Sequence, residues 1–101
     1  MENNQKVLNL LGLSLRAGAL TMGEGLVLKA IQQQKVMLVL VAADASQATR
    51  DKFSAKGDFY HVPVITAFTK EAMSQALGRP RTIVGITNAG FARRLIALLK
   101  T

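Results

Sequence analysis

The residues with spacing suited to chemistry are Gly23, Glu24, Gly25 and Lys29, in the stretch Leu-Thr-Met-Gly-Glu-Gly-Leu-Val-Leu-Lys. A short apolar piece runs into the glycines, and the residues that follow have helical spacing, with Lys29 near the start of that helix. The first turn of a helix leaves backbone N–H groups without internal partners and carries the positive end of the macrodipole, so it attracts anions. Lys29, about a turn further on, adds a mobile cation. Glu24 competes for the same donors, and the two glycines serve equally well to allow a tight turn. A second group is Arg79-Pro80-Arg81-Thr82, a stiffened basic loop whose arginines could donate paired hydrogen bonds to a phosphate. As a loop of charged residues it also suits a plain solvated connection. Asp44 follows the most apolar segment of the chain and suits either a turn or cap role or a ligand role.

Composition narrows the chemistry. The chain has no cysteine and one histidine, which excludes thiol catalysis, Cys-ligated zinc and a multi-histidine metal site. For His61 the sequence suggests no carboxylate–serine or second-histidine partner to make a nucleophile–base pair, so it reads as structural. No metal or other cofactor is expected. A dinucleotide fingerprint needs a third glycine where Leu28 stands, and no Walker-type loop is present, so a nucleotide-binding enzyme fits poorly. The 13 basic and 6 acidic residues leave a net charge of +7, which favours polyanions as partners. With one tyrosine, four phenylalanines and no tryptophan, an aromatic stacking platform for bases is not expected. The polar start, without a basic-then-apolar leader, and the lack of a bilayer-length apolar run lead us to expect a soluble, cytoplasmic protein with no membrane partner.

Nine elements position these residues. The spacing predicts a helix over 4–17, capped by Asn3 or Asn4 and ended by Gly18, with Arg16 in its last turn. A short strand over 19–22 follows. The next helix is predicted over 24–33, with Leu26, Val27, Ala30 and Ile31 inward. Residues 36–42 are apolar on both faces, as in a central strand covered by helices on each side. Ser46 is suited to cap a helix over 47–56 that carries Arg50, Lys52 and Lys56 and closes at Gly57. Pro63 marks the start of a strand over 64–67. Thr69 caps a helix with Met73, Ala76 and Leu77 inward, ended by Gly78. The last strand covers 83–86. Asn88 caps a final helix through Leu99 with Phe91, Leu95, Ile96, Leu98 and Leu99 inward and Arg93 and Arg94 outward. This alternation predicts a single domain over 1–101, a three-layer α/β/α sandwich around a four-stranded mixed sheet. Groups for binding gather beyond the carboxyl ends of the central strands in such folds.

In this order, the segments 11–31, 38–46, 60–65, 76–78 and 85–99 resemble the kink-turn RNA-binding ribosomal proteins of the L-seven-Ae / L-thirty-e type, and among them the short bacterial members of the YlxQ type. The resemblance covers nearly the whole chain. It implies a non-enzymatic RNA-binding domain that recognises kink-turn-like RNA, with the ribosome or translation machinery as partner. The family pattern at the opening stretch is Gly-x-(Asn or Lys)-(Glu or Gln)-x-x-Lys, and Gly23 and Lys29 match its ends. By resemblance Gly23 permits close approach to RNA, Lys29 pairs with a phosphate or base edge, and Glu24 and the backbone at Gly25 lie against the RNA. Asp44 matches the acidic residue after the central strand, and Arg79, Pro80 and Arg81 fall in the family's other RNA-facing loop. The two central readout places hold Gly25 and Leu26, which carry no hydrogen-bonding side chain. That departure implies weaker or differently specific binding, or a protein-interaction module that has lost base-specific readout.

Overall fold

The computed structural model describes residues 2–100. All nine expected elements form in the expected order: α1 (Glu2–Arg16), β1 (Leu20–Met22), α2 (Glu24–Gln32), β2 (Leu38–Val41), α3 (Gln47–Tyr60), β3 (Val64–Thr66), α4 (Lys70–Leu77), β4 (Ile83–Ile86) and α5 (Ala89–Leu99). The sheet has the order β1-β4-β2-β3, with β4 antiparallel to both β1 and β2, and β2 parallel to β3. It is therefore mixed and four-stranded, as expected.

Every residue of β2 and β4 is buried, because helices cover both faces of the sheet. Side chains alternate between two cores, following the two-residue period of a strand. Leu38, Leu40, Val84 and Ile86 join Val7, Leu10 and Leu11 of α1, Met73 and Leu77 of α4, and Ala92 and Leu95 of α5. On the other face Val39, Val41 and Ile83 meet Val27, Ala30 and Ile31 of α2 and Phe53 of α3. Gly85 also faces α2: a Cβ there would stand 2.9 Å from Val36 Cγ1 and 3.1 Å from Thr21 Cγ2, so the strand can be covered closely only without a side chain.

Several boundaries differ from the sequence reading. The first helix already contains Asn3 and Asn4, so neither caps it. Gly18 does end it, with φ +70°. Regular pairing in β2 stops short of Val36 and Ala42, although both stay buried. The third helix does not close at Gly57 but runs through it to Tyr60, ending at His61 in the left-handed region (φ 59°). Gly57 is buried, and a Cβ there would lie 2.7 Å from the Val62 carbonyl oxygen and against the Val64 side chain. The glycine serves packing between α3 and the start of β3, where a boundary had been expected. The third strand stops at Thr66. Leu26 is not inward: it is 64% exposed. Ala76 is only partly buried, and Ala92 belongs to the buried face of α5. The three predicted caps form: Ser46 Oγ accepts from the Thr49 N–H, Thr69 Oγ1 from the Ala72 N–H and Asn88 Oδ1 from the Phe91 N–H.

Candidate nucleic-acid interface

Strand directions decide which loops meet. Since β1, β2 and β3 run one way and β4 the other, the carboxyl ends of the first three and the amino end of β4 lie at one end of the sheet. Backbone hydrogen bonds tie the loops there. The Gly23 N–H donates to the Ile83 carbonyl at 3.1 Å, the Ala42 N–H to that of Thr82 at 2.9 Å and the Ala43 N–H to that of Phe68 at 2.7 Å. Asp44 Oδ1 accepts from the Lys70 N–H at 2.8 Å, joining the end of β2 to the first turn of α4. The cap role is thus the one its geometry displays.

Between these loops lies a cleft of about 470 Å³. Five of the candidate residues line it: Gly23, Glu24, Asp44, Pro80 and Arg81. Gly25 and Lys29 lie outside it on the exposed surface of α2, and Arg79 lines a neighbouring hollow with Glu71 and Gly78. Lys29 is not near the start of its helix. The helix has only nine residues, and Lys29 falls in its last turn, about 7.5 Å along the axis from Glu24. Gly25 and Lys29 are four residues apart and share a face with Leu26.

The electrostatics of the site centre on α2. Its N-cap, Gly23, has φ 99° and ψ 149° and supplies no side-chain hydrogen bond, so the donors of the first turn have no cap. Glu24 is held aside by Lys52 of α3, Nζ to Oε1 2.6 Å, the one ion pair among the described residues. Both side chains are nearly half exposed, so the pair is worth under about 1 kcal/mol in stability. Its larger effect is to balance the carboxylate's charge where an anion would approach. The Arg81 guanidinium donates to the Pro80 carbonyl at 2.8 Å, and its buried Nε has no partner among the described residues. On α3, Arg50 donates to Gln47 Oε1 at 2.9 Å and likewise keeps a buried, unpartnered Nε. A buried Nε is out of a phosphate's reach, so any phosphate contact by these arginines falls to their other guanidinium nitrogens.

Thr82, in the basic loop singled out from the sequence, also lines the cleft, whereas sequence reasoning missed Lys70 and Thr49 as lining residues and Lys52 as the partner of Glu24. Lys52 lies 28 positions from Glu24, and no local pattern signals that contact. His61 caps the far end of α3, about 20 Å along the helix from the cleft. Among the described residues no cluster of three or more His, Cys, Asp or Glu could hold a metal, and no helix is long and apolar enough to cross a membrane.

Fold and cleft together define a small α/β/α protein whose surface chemistry is concentrated where strand ends, an uncapped helix and basic side chains meet. The chain belongs to the Ribosomal protein L7Ae/L30e/S12e/Gadd45 family, whose profile matches residues 5–96. It is 40% identical over 98 residues to the RNA-binding protein YlxQ of Enterococcus faecium, spanning 97% of this chain and 95% of that one. To the RNA-binding protein YlxQ of Bacillus subtilis (strain 168) it is 38% identical over 91 residues, 89% of this chain and 91% of that one. Among solved structures, a protein of unknown function from Bacillus halodurans C superposes with a TM-score of 0.93 at 38% identity, covering 95% of this chain and 98% of the other. The Giardia lamblia 15.5kD RNA binding protein shares the fold, with a TM-score of 0.80 at 23% identity, over 97% of this chain and 91% of its own.

Proposed function

We propose that this chain is a non-enzymatic RNA-binding protein that recognises structured, kink-turn-like RNA with the cleft end of its sheet, in the cytoplasm and in association with the ribosome or translation machinery. The observation that carries the reading is the convergence of the uncapped α2 N-terminus at Gly23 with Arg81 and Lys70 in one cleft of a chain with net charge +7. Backbone N–H groups and an arginine fork are phosphate ligands that need no bound cofactor. The relatives named RNA-binding proteins match nearly the whole chain, which supports the same assignment. In this reading Gly23, Glu24, Gly25, Lys29, Asp44, Arg79, Pro80 and Arg81 border the RNA, and affinity is largely electrostatic. Contact with about four phosphates gives a slope of about −3 to −4 in log K against log salt.

The test is a titration of the protein against a kink-turn RNA and against the same RNA with its G·A pairs replaced. Tighter binding to the kink-turn is expected. Equal binding removes the kink-turn specificity, and no binding to either removes the RNA assignment. Partners that survive RNase treatment in a pull-down would instead identify a protein-interaction module.

A further inference from the structure

Most of the chain's charge excess lies away from its cleft. The ionisable side chains lining the cleft balance, Glu24 and Asp44 against Lys70 and Arg81, so they contribute nothing to the net +7. The largest share belongs to α1 and α5, which pack together on the sheet face opposite α2 and α3. These two helices carry Lys6, Arg16, Arg93, Arg94 and, at the α5 C-cap, Lys100, with Glu2 as their one carboxylate. No Asp or Glu occurs in residues 79–101. On α5 the buried side is Ala92 and Leu95, while Gly90, Arg93, Arg94, Ala97 and Lys100 are exposed. At about 3.6 residues per turn, Gly90 and Ala97 form the midline of that exposed side, with Arg93 and Lys100 along one edge and Arg94 along the other. Lys52–Glu24 is the one ion pair among the described residues, so none of the three α5 cations is paired with a described carboxylate.

We propose that the outer side of α5, at Arg93, Arg94 and Lys100, is a second nucleic-acid surface, separate from the cleft, that holds the phosphate backbone of an RNA duplex. This extends the RNA-binding reading above and rests on it for the occupant of the cleft. With both places filled, one molecule bridges two RNA segments. The β4 strand runs away from the cleft, so α5 starts at the opposite end of the sheet and lies on the face turned away from α2. An arginine fork fits a phosphate, and the small Gly90 and Ala97 between the cations let a duplex approach the helix closely. The exposed stripe has no aromatic ring on which an unpaired base could stack, which favours a paired duplex held by its backbone. It has no large apolar side chain either, so an acidic protein would find no anchor there and a membrane no inserting residue. Binding at this surface is independent of sequence and sensitive to salt.

The test uses the full chain with a labelled, bulge-free RNA duplex and a kink-turn RNA with short stems. Arg93→Gln/Arg94→Gln is expected to weaken duplex binding about tenfold and to reduce its salt slope by about 2, with kink-turn binding and Tm unchanged. Lys35→Gln/Lys56→Gln removes the same charge from the α2–β2 loop and α3, and should change duplex binding little. Protein loaded with an equimolar amount of unlabelled kink-turn RNA should still take up the duplex, giving a ternary complex on a native gel. If Arg93→Gln/Arg94→Gln binds the duplex as well as the unaltered protein, if the lysine pair costs as much, or if the kink-turn RNA displaces the duplex, the inference is overturned while RNA binding stands. Polyglutamate that competes as well as unlabelled duplex would identify a surface for acidic proteins and overturn it too. If the duplex binds through Arg93 and Arg94 and the kink-turn RNA does not bind, the cleft assignment fails and the α5 surface stands. If the unaltered protein binds neither RNA, both fail.

Discussion

The two glycines of the α2 turn should respond oppositely to the same substitution. Gly23 has φ 99° and ψ 149°, a region that side-chain-bearing residues rarely adopt, although nothing stands within 4 Å of a Cβ placed there. Gly23→Ala therefore carries a torsional cost alone, about 1–3 kcal/mol. Relief of that strain would have to pull the Gly23 N–H from the Ile83 carbonyl and shift the start of α2. Gly25 has an ordinary helical φ and equally open surroundings. Gly25→Ala removes conformational freedom from the unfolded chain and adds helix propensity, stabilising by about 0.5–1 kcal/mol. For a domain of this size about 1 kcal/mol moves Tm by about 4–8 °C. The expected result is a fall of roughly 4–24 °C for Gly23→Ala and a rise of a few degrees for Gly25→Ala. Urea unfolding followed by far-UV circular dichroism measures both free energies, provided the m-value is unchanged. A stable Gly23→Ala, or a destabilised Gly25→Ala, would refute the backbone account of this turn.

Other substitutions separate packing from binding. Gly57→Ala forces a Cβ to 2.7 Å from the Val62 carbonyl oxygen, so urea unfolding should register a loss of about 1–3 kcal/mol despite the better helix propensity of alanine. Asp44→Ala removes the acceptor of the Lys70 N–H and should cost about 1 kcal/mol, with faster amide exchange at Lys70. Lys29→Ala alters an exposed side chain and should leave Tm in place. It should weaken RNA binding by about 1–2 kcal/mol and reduce the salt slope by about 1, which titrations at several salt concentrations would read. An unchanged affinity would remove Lys29 from the interface.

What the sequence determined by itself was local. Element order, the caps at Ser46, Thr69 and Asn88, and the helix ends at Gly18 and Gly78 depend on contacts within a few residues, and their chemistry is written in adjacent side chains. The all-apolar run of β2 equally announced a strand covered on both faces. Family membership was legible too, because it rests on the order of whole segments and not on one motif.

Tertiary structure decided the rest. Spacing along α2 offered Leu26 and Val27 equally to the core, and only the positions of Val39, Val41 and Phe53 turn Val27 inward and leave Leu26 in solvent. Gly57 reads as a helix end until the close approach of Val62 explains a glycine in mid-helix. The Glu24–Lys52 and Asp44–Lys70 contacts span 28 and 26 positions, beyond any periodicity. Above all, β4 enters antiparallel between β1 and β2, and that pairing carries Arg81 to Gly23 and Asp44. Strand pairing is chosen by the packing of whole faces, so the cleft is a property of the assembled sheet and of no segment alone.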